Sequence, residues 1–261
     1  MINKIRLILL ILLCFIFHLD GLDFSLPATQ QKFIGNWHFV KVQPGDTLSK
    51  IALDNDVSLL ELLKHNLAFQ LNKPIHPGQT LLIPNCYSLP ELHQNEIIVN
   101  LANQMLYYRP ADDTRSILIY PVTIGKPQHP TPQGDYYIKR KKIDPIWYPP
   151  ASIRAVHAKQ GKKYPFAVGP GPHNPLGKYA MYLNKPTYLI HTAINATALG
   201  GAQSFGCIRM YKRDIAILYP KIKINTAVKI INVPIANHDE FQNYCTRLIS
   251  AKNIMVKGQA K

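Results

Sequence analysis

The chain has 261 residues, 47% of them hydrophobic and 10% aromatic, which excludes a disordered chain and allows two modest domains. Lys and Arg number 30 against 15 Asp and Glu, a formal charge of +15, so the favoured partner is anionic: nucleic acid, an anionic membrane or an acidic polymer. Charge alone does not choose among these, because the cations are scattered and the densest run, Lys139-Arg140-Lys141-Lys142, reads as a solvated strand end.

Residues 1–21 open with Met1 to Arg6, which carries Lys4 and Arg6 and no acid, followed by an unbroken apolar run from Leu7 to Phe17 and then His18 and Asp20. That order is a secretory leader, and the run is too short to span a bilayer comfortably. Small residues near Gly21, Ser25 and Ala28 are candidate cleavage points, and an uncleaved anchor is the alternative. Export turns the charge toward an acidic extracytoplasmic polymer and away from nucleic acid. It also places the cysteines in an oxidising compartment.

Residues 38–84 read as strand, helix, helix, strand. His38 to Val42 is β-rich, and Pro44-Gly45 breaks it. Asp46-Thr47 caps a helix from Leu48, and Asn55-Asp56 ends it. Ser58 with Glu61 forms a capping box for a second helix, and Pro77-Gly78 turns the chain into Thr80 to Ile83. The strings VQPGDTLSKIA, VSLLELLKHN and KPIHPGQTLLIP resemble a LysM domain over its length. The resemblance implies a glycan-binding groove lined by Gly45, Asp46, Thr47 and Leu48, with Ile75, Pro77, Gly78 and Gln79. The plainer reading is that these residues only cap and turn. Residues 85–95 form a polar linker.

Residues 96–233 are mostly β. Glu96 to Asn100 and Gln104 to Tyr108 make a hairpin pattern; Ser116 to Ile124, Asp135 to Lys139, Tyr179 to Leu183 and Tyr188 to His191 are further strands. Helical periodicity is rare, and Asp214 to Leu218 is one expected helix. The class is mainly β, a β-sandwich or open barrel preceded by the small βααβ unit. The tail, residues 234–261, is polar and basic with weak helical character.

Chemistry concentrates in His191, at the end of an apolar strand, and in Ser204-Phe205-Gly206-Cys207-Ile208-Arg209-Met210, with Cys207 16 positions after His191. A thiolate is the reactive form of cysteine, and a neighbouring imidazole can take its proton. Gly206 permits close backbone approach, the amides of Phe205, Gly206 and Cys207 can donate to an oxyanion, and Arg209 suits a carboxylate. Singly, each has a bland reading: a buried cysteine, a satisfied core histidine, an arginine paired with Asp214.

Together with TPQGDYYI, PIWYPPASIR and GPHNPLGKYAMYL, these residues resemble the YkuD-type L,D-transpeptidase catalytic domain over roughly Glu96 to Val233. The resemblance implies a catalytic pair, Cys207 and His191, with Ser204, Thr192 and Arg209 contacting substrate, and no cofactor. It implies acyl transfer from a tetrapeptide stem with loss of D-Ala, to an amine of a second stem or of a wall-anchored lipoprotein. The implied partners are peptidoglycan strands and stems, with no nucleic acid. An L,D-carboxypeptidase or a non-catalytic wall-binding protein are the alternatives. Two positions depart from the family pattern: Thr192 stands where Gly is common, and Phe205 where His is usual. Zinc is disfavoured because His157, His173, His191 and Cys207 lack short ligand spacings. Beyond the leader three cysteines remain, and Cys86 with Cys245 is the expected disulfide, leaving Cys207 free; unpaired thiols are the alternative.

Overall fold

The computed structural model describes residues 23–25, 32–70, 73–113, 115–159, 161, 165–193, 201–234 and 238–258. The leader expected at residues 1–21 lies outside them. Strand β1 (Asp23–Ser25) is followed by β2 (Phe33–Gly35) and β3 (His38–Lys41), helices α1 (Leu48–Asp54) and α2 (Leu59–Lys64), then β4 (Thr80–Ile83) and β5 (Cys86–Ser88). The caps form where the side chains call for them. Thr47 Oγ1 accepts the Lys50 amide at 3.1 Å, and Ser58 Oγ accepts the Glu61 amide at 3.1 Å. β3 and β4 pair antiparallel, and Leu48, Ile51, Leu59, Leu62, Leu81 and Ile83 fill the space between them and the helices.

The larger unit follows: β6 (Glu96–Asn100), β7 (Met105–Arg109), β8 (Ser116–Gly125), β9 (Gly134–Ile143), α3 (Ala151–Ala158), β10 (Tyr179–Leu183), β11 (Leu189–Thr192), β12 (Gly201–Ser204), β13 (Ile208–Met210), α4 (Lys212–Lys221), β14 (Ala227–Ile231) and α5 (His238–Gly258). Eight strands run in the order β8-β13-β11-β10-β9-β14-β6-β7, and β7 pairs β8 again. The sheet therefore closes, where the sequence left a sandwich or an open barrel. Closure removes the edges that an open sheet would expose. Leu118, Tyr120 and Val122 of β8 point into the barrel, and Ile117 and Ile119 point out beneath Ile34 and Tyr87. Burial on both faces explains why this strand is apolar almost throughout rather than alternating. Ile215 and Leu218 of α4 pack into the same core.

The small unit meets the barrel beside α4, where Leu53 packs with Ala193 and Tyr211. Arg213 of α4 donates to the Leu53 carbonyl at 3.0 Å and forms ion pairs with Asp56 and Asp214. The C-terminal segment packs beside β2 and β5, and here the sequence reading is corrected. It is a 21-residue helix, not a weakly helical tail. Phe241 and Cys245, four apart on one helical face, pack with Phe33, Trp37 and Cys86. Asp239 and Glu240 sit in its first turn, where acids complement the helix dipole.

Cys86 and Cys245 are bonded, with Cα atoms 5.7 Å apart, and the Trp37 amide donates to the Cys245 carbonyl at 2.9 Å. The bridge closes a loop with a sequence separation of 159. In the chain-entropy model a loop of that size contributes about 5 kcal/mol. Replacing both cysteines by serine should lower the thermal midpoint by many degrees, and a reductant should bring the native protein to the same value. An unchanged midpoint in both experiments would mean that α5 holds its place without the bridge.

Candidate active site

β11 and β13 lie parallel, with Ile190 opposite Ile208 and His191 opposite Arg209. Strand periodicity sends Ile190, Ile208 and Met210 into the barrel core. Leu189, His191 and Arg209 face the other way and line a cleft of about 940 Å³. Cys207, one residue before β13, lines the same cleft. It is the free cysteine among the described residues and is half-buried.

The loop carrying Cys207 is held from below. Gly206 has φ 100°, and a Cβ there would meet the Tyr188 ring at 2.7 Å. Thr131, fully inside the fold, donates to the Gly206 carbonyl at 3.0 Å and accepts the Gly125 amide at 2.8 Å. Ser204 Oγ accepts the Gly206 amide at 3.0 Å and donates to the Cys207 carbonyl at 2.5 Å.

Three expectations are corrected by these bonds. Ser204 does not contact the cleft; its hydroxyl is used within the loop. The Gly206 amide, expected among the oxyanion donors, is taken by Ser204. Thr192 points away from the cleft, where its Oγ1 accepts the Tyr179 amide at 3.0 Å. Both hydroxyls are buried, and a buried hydroxyl bonds the nearest backbone. Thr131 was missed as a positioning residue, although the TPQGD string contained it.

His191 is 3% exposed. Its Nδ1 lies 3.0 Å from the Thr192 carbonyl, which can only accept, so the tautomer protonated on Nδ1 satisfies that bond and leaves Nε2 its lone pair. Burial, and after it the positive charge of Arg209, lower the imidazole pKa to about 3. Burial also pushes the Cys207 thiol up, against the opposing pull of a backbone bond and of Arg209. The Sγ atom lies 3.5 Å from the Thr187 carbonyl. At neutral pH the resting pair is thus an uncharged imidazole and a thiol. Arg209 Nε is buried without a hydrogen-bond partner, and among the described residues Arg209 forms no ion pair with an acid. A partly buried guanidinium in that state is suited to an anion brought by a ligand.

Phe205 lies on the cleft wall between Lys126 Nζ, 4.0 Å from its ring centroid, and the His129 ring at 4.8 Å. It cannot titrate and serves as an apolar surface. Among the described residues no three His, Cys, Asp or Glu side chains converge as a metal-ligand set.

The small unit carries a second, shallower hollow of about 380 Å³, lined in part by Gly45, Asp46, Lys50 and Asn55. Leu48, expected on that groove, is instead in the core. Thr47 caps α1. Asp46 accepts the Gln43 amide at 2.9 Å and pairs with Lys50 at 3.1 Å. Gln79 Oε1 accepts the His76 amide at 2.6 Å, and Gly78 donates to the Val42 carbonyl at 2.9 Å. Ile75 packs on the core, and neither it nor Pro77 lines the hollow.

Residues 94–230 match the family model of the YkuD L,D-transpeptidase catalytic domain, and residues 40–84 match that of the LysM domain. The chain is 32% identical over 218 residues to the probable L,D-transpeptidase ErfK/SrfK of Salmonella typhimurium, covering 82% of this chain and 70% of that protein. It is 30% identical over 219 residues to the probable L,D-transpeptidase YbiS of Escherichia coli K12, covering 83% and 71%. It is 34% identical over 215 residues to the probable L,D-transpeptidase YcfS of the same strain, covering 80% and 67%.

Proposed function

The chain belongs to the YkuD L,D-transpeptidase family and carries a LysM domain, and from that premise we propose an exported cell-wall enzyme in which Cys207 is the nucleophile and His191 its base. The observation that carries the residue assignment is the shared cleft. A free thiol, a buried imidazole with its lone pair on Nε2, and an arginine with an unpartnered Nε all line it.

His191 Nε2 takes the thiol proton as Sγ attacks the carbonyl between the L-centre of diaminopimelate and the terminal D-Ala of a tetrapeptide stem. The Gly206 amide is engaged by Ser204, so the oxyanion falls to the amides of Phe205 and Cys207. The tetrahedral intermediate collapses, the C–N bond breaks, and His191 returns the proton to the departing amine. The burial that disfavours the imidazolium favours its return of the proton. The thioester is then attacked by the side-chain amine of a second stem, forming a 3→3 cross-link. A lysine of a wall-anchored lipoprotein is a second acceptor of the same chemistry, and water in that role would make the enzyme an L,D-carboxypeptidase. Arg209 binds a carboxylate next to the scissile bond.

The LysM domain supports a wall substrate and, with the apolar segment at residues 7–17, an extracytoplasmic site. Among the described residues no helix is long and apolar enough to cross a membrane. The unit boundaries follow as 38–84, a linker at 85–95, the catalytic domain at 96–233 and the docked helix beyond. Incubation with disaccharide-tetrapeptide should give loss of D-Ala and a cross-linked dimer by mass spectrometry. Tripeptide alone would assign a carboxypeptidase. No product from protein with an intact thiol would favour the wall-binding reading that Phe205 suggests.

A further inference from the structure

The basic run at residues 139–142 is split by the sheet. Upstream, Ile138 faces the barrel core opposite Leu183. Between Leu183 and Tyr182 the register shifts, so that Leu183 pairs Ile138 while Tyr182 pairs Arg140. The extra residue, Lys139, makes a bulge, and a bulge reverses which side chains face which way. Without it Arg140 and Lys142 would share the face of Ile138. With it they turn to the cleft, and both line it. Lys141 takes the core side, where its Nζ donates to the Tyr219 carbonyl at 2.6 Å and to the Ile222 carbonyl at the end of α4.

The Arg140 guanidinium lies 4.0 Å from the centroid of the Tyr182 ring, which holds it flat against the cleft wall. The residues β10 and β11 present between these cations and the nucleophile strand are Ala180, Tyr182, Leu189 and His191. Asp144 is the single acid on the lining, against Arg140, Lys142 and Arg209. Among the described residues neither Arg140 nor Lys142 has an ion-pair partner.

We propose that Arg140 and Lys142 form a second carboxylate subsite, distinct from Arg209, which binds a side carboxylate on the acyl portion of the peptide donor. The proposal rests on the acyl-transfer reading given above. Arg209 stands beside the thiol and takes the carboxylate of the leaving residue. The Arg140 strand is three strands away from β13, roughly 14 Å at the usual strand spacing. Three extended residues, counted from the leaving one, span about 10 Å, and a side carboxylate on the third reaches the rest. A donor laid across β11 and β10 therefore brings a carboxylate of its acyl portion, not its leaving group, to Arg140. A planar guanidinium held on a ring suits bidentate carboxylate recognition, and Lys142 adds a second charge.

The test measures the dissociation constant of disaccharide-tetrapeptide for the full chain carrying Cys207→Ala, with and without Arg140→Ala/Lys142→Ala. The double change should raise it about tenfold, with an unchanged thermal midpoint, and Arg140→Lys should recover part of the loss. A peptide amidated at the side carboxylate of the residue preceding the attacked one should bind the Arg140 protein about tenfold more weakly. It should bind the double variant no more weakly than the parent peptide does. In the protein with its thiol, KM should rise and kcat stay within about twofold. An unchanged dissociation constant, or an equal amidation penalty in both proteins, overturns the subsite. Absence of turnover with the expected binding pattern would overturn the acyl-transfer reading and leave the subsite standing.

Discussion

Cys207→Ala is expected to reduce turnover below detection and to eliminate covalent labelling by a carbapenem. In the proposed mechanism the thiol sulfur forms the acyl bond, and alanine offers nothing in its place. Cys86 and Cys245 cannot substitute, because they are joined to each other and sit in a cluster with Phe33 and Trp37. The side chain is small and Gly206 and Ser204 hold the loop from the backbone, so the variant should fold with a near-native midpoint. Intact-protein mass spectrometry reads the result directly. Labelling that persists in the variant, with the adduct mapped to Cys86 or Cys245, would sink the assignment of Cys207.

His191→Ala is expected to lower kcat/KM by about 10²–10⁴-fold, the range for loss of a positioned general base. The pH dependence separates this role from a packing role. The folded imidazole takes its proton only near pH 3, because burial and then the charge of Arg209 oppose it. The acid limb of kcat/KM should therefore lie far below the ordinary histidine value, and the profile should stay nearly flat from about pH 5 to 7. An acid limb centred near pH 6.5 would show that another group is the base. Stability supplies a second readout. Between about pH 3 and 6.5 the unfolded chain holds a proton on this residue that the folded chain lacks. Stability should therefore rise with pH across that window and be lost as the pH drops through it, and the alanine variant should lose less of it.

Much of the small unit was legible in the chain because its signals are local. Thr47 and Ser58 cap helices through bonds to residues three positions on, and Gly45 and Gly78 adopt positive φ within their own turns. A cap or a turn needs only a few consecutive residues, so the pattern contains its own partners. That His191 and Cys207 belong to one site was implied by the family resemblance, and both line the same cleft.

Which way a side chain faces, and what it finds there, was decided by tertiary structure. Ser204 and Thr192 look like substrate contacts in the string, yet the Gly206 and Tyr179 amides claim their hydroxyls. Burial forces that choice, and burial depends on strands distant in sequence. The run at residues 139–142 has no internal sign of the bulge at Lys139, because the bulge is defined by the partner strand at Tyr182 and Leu183. Barrel closure likewise rests on β7 and β8, both of which would read as strands in an open sheet. The C-terminal helix reads as polar because the apolar residues it packs on the fold, Phe241, Tyr244, Cys245 and Ile249, are interspersed with polar ones. They suffice because Phe33, Trp37 and Cys86, more than 150 positions earlier, supply the other side of the contact. Residue types and short spacings thus determined the caps and most of the strands. Facing, register and the cleft depended on which remote strands met.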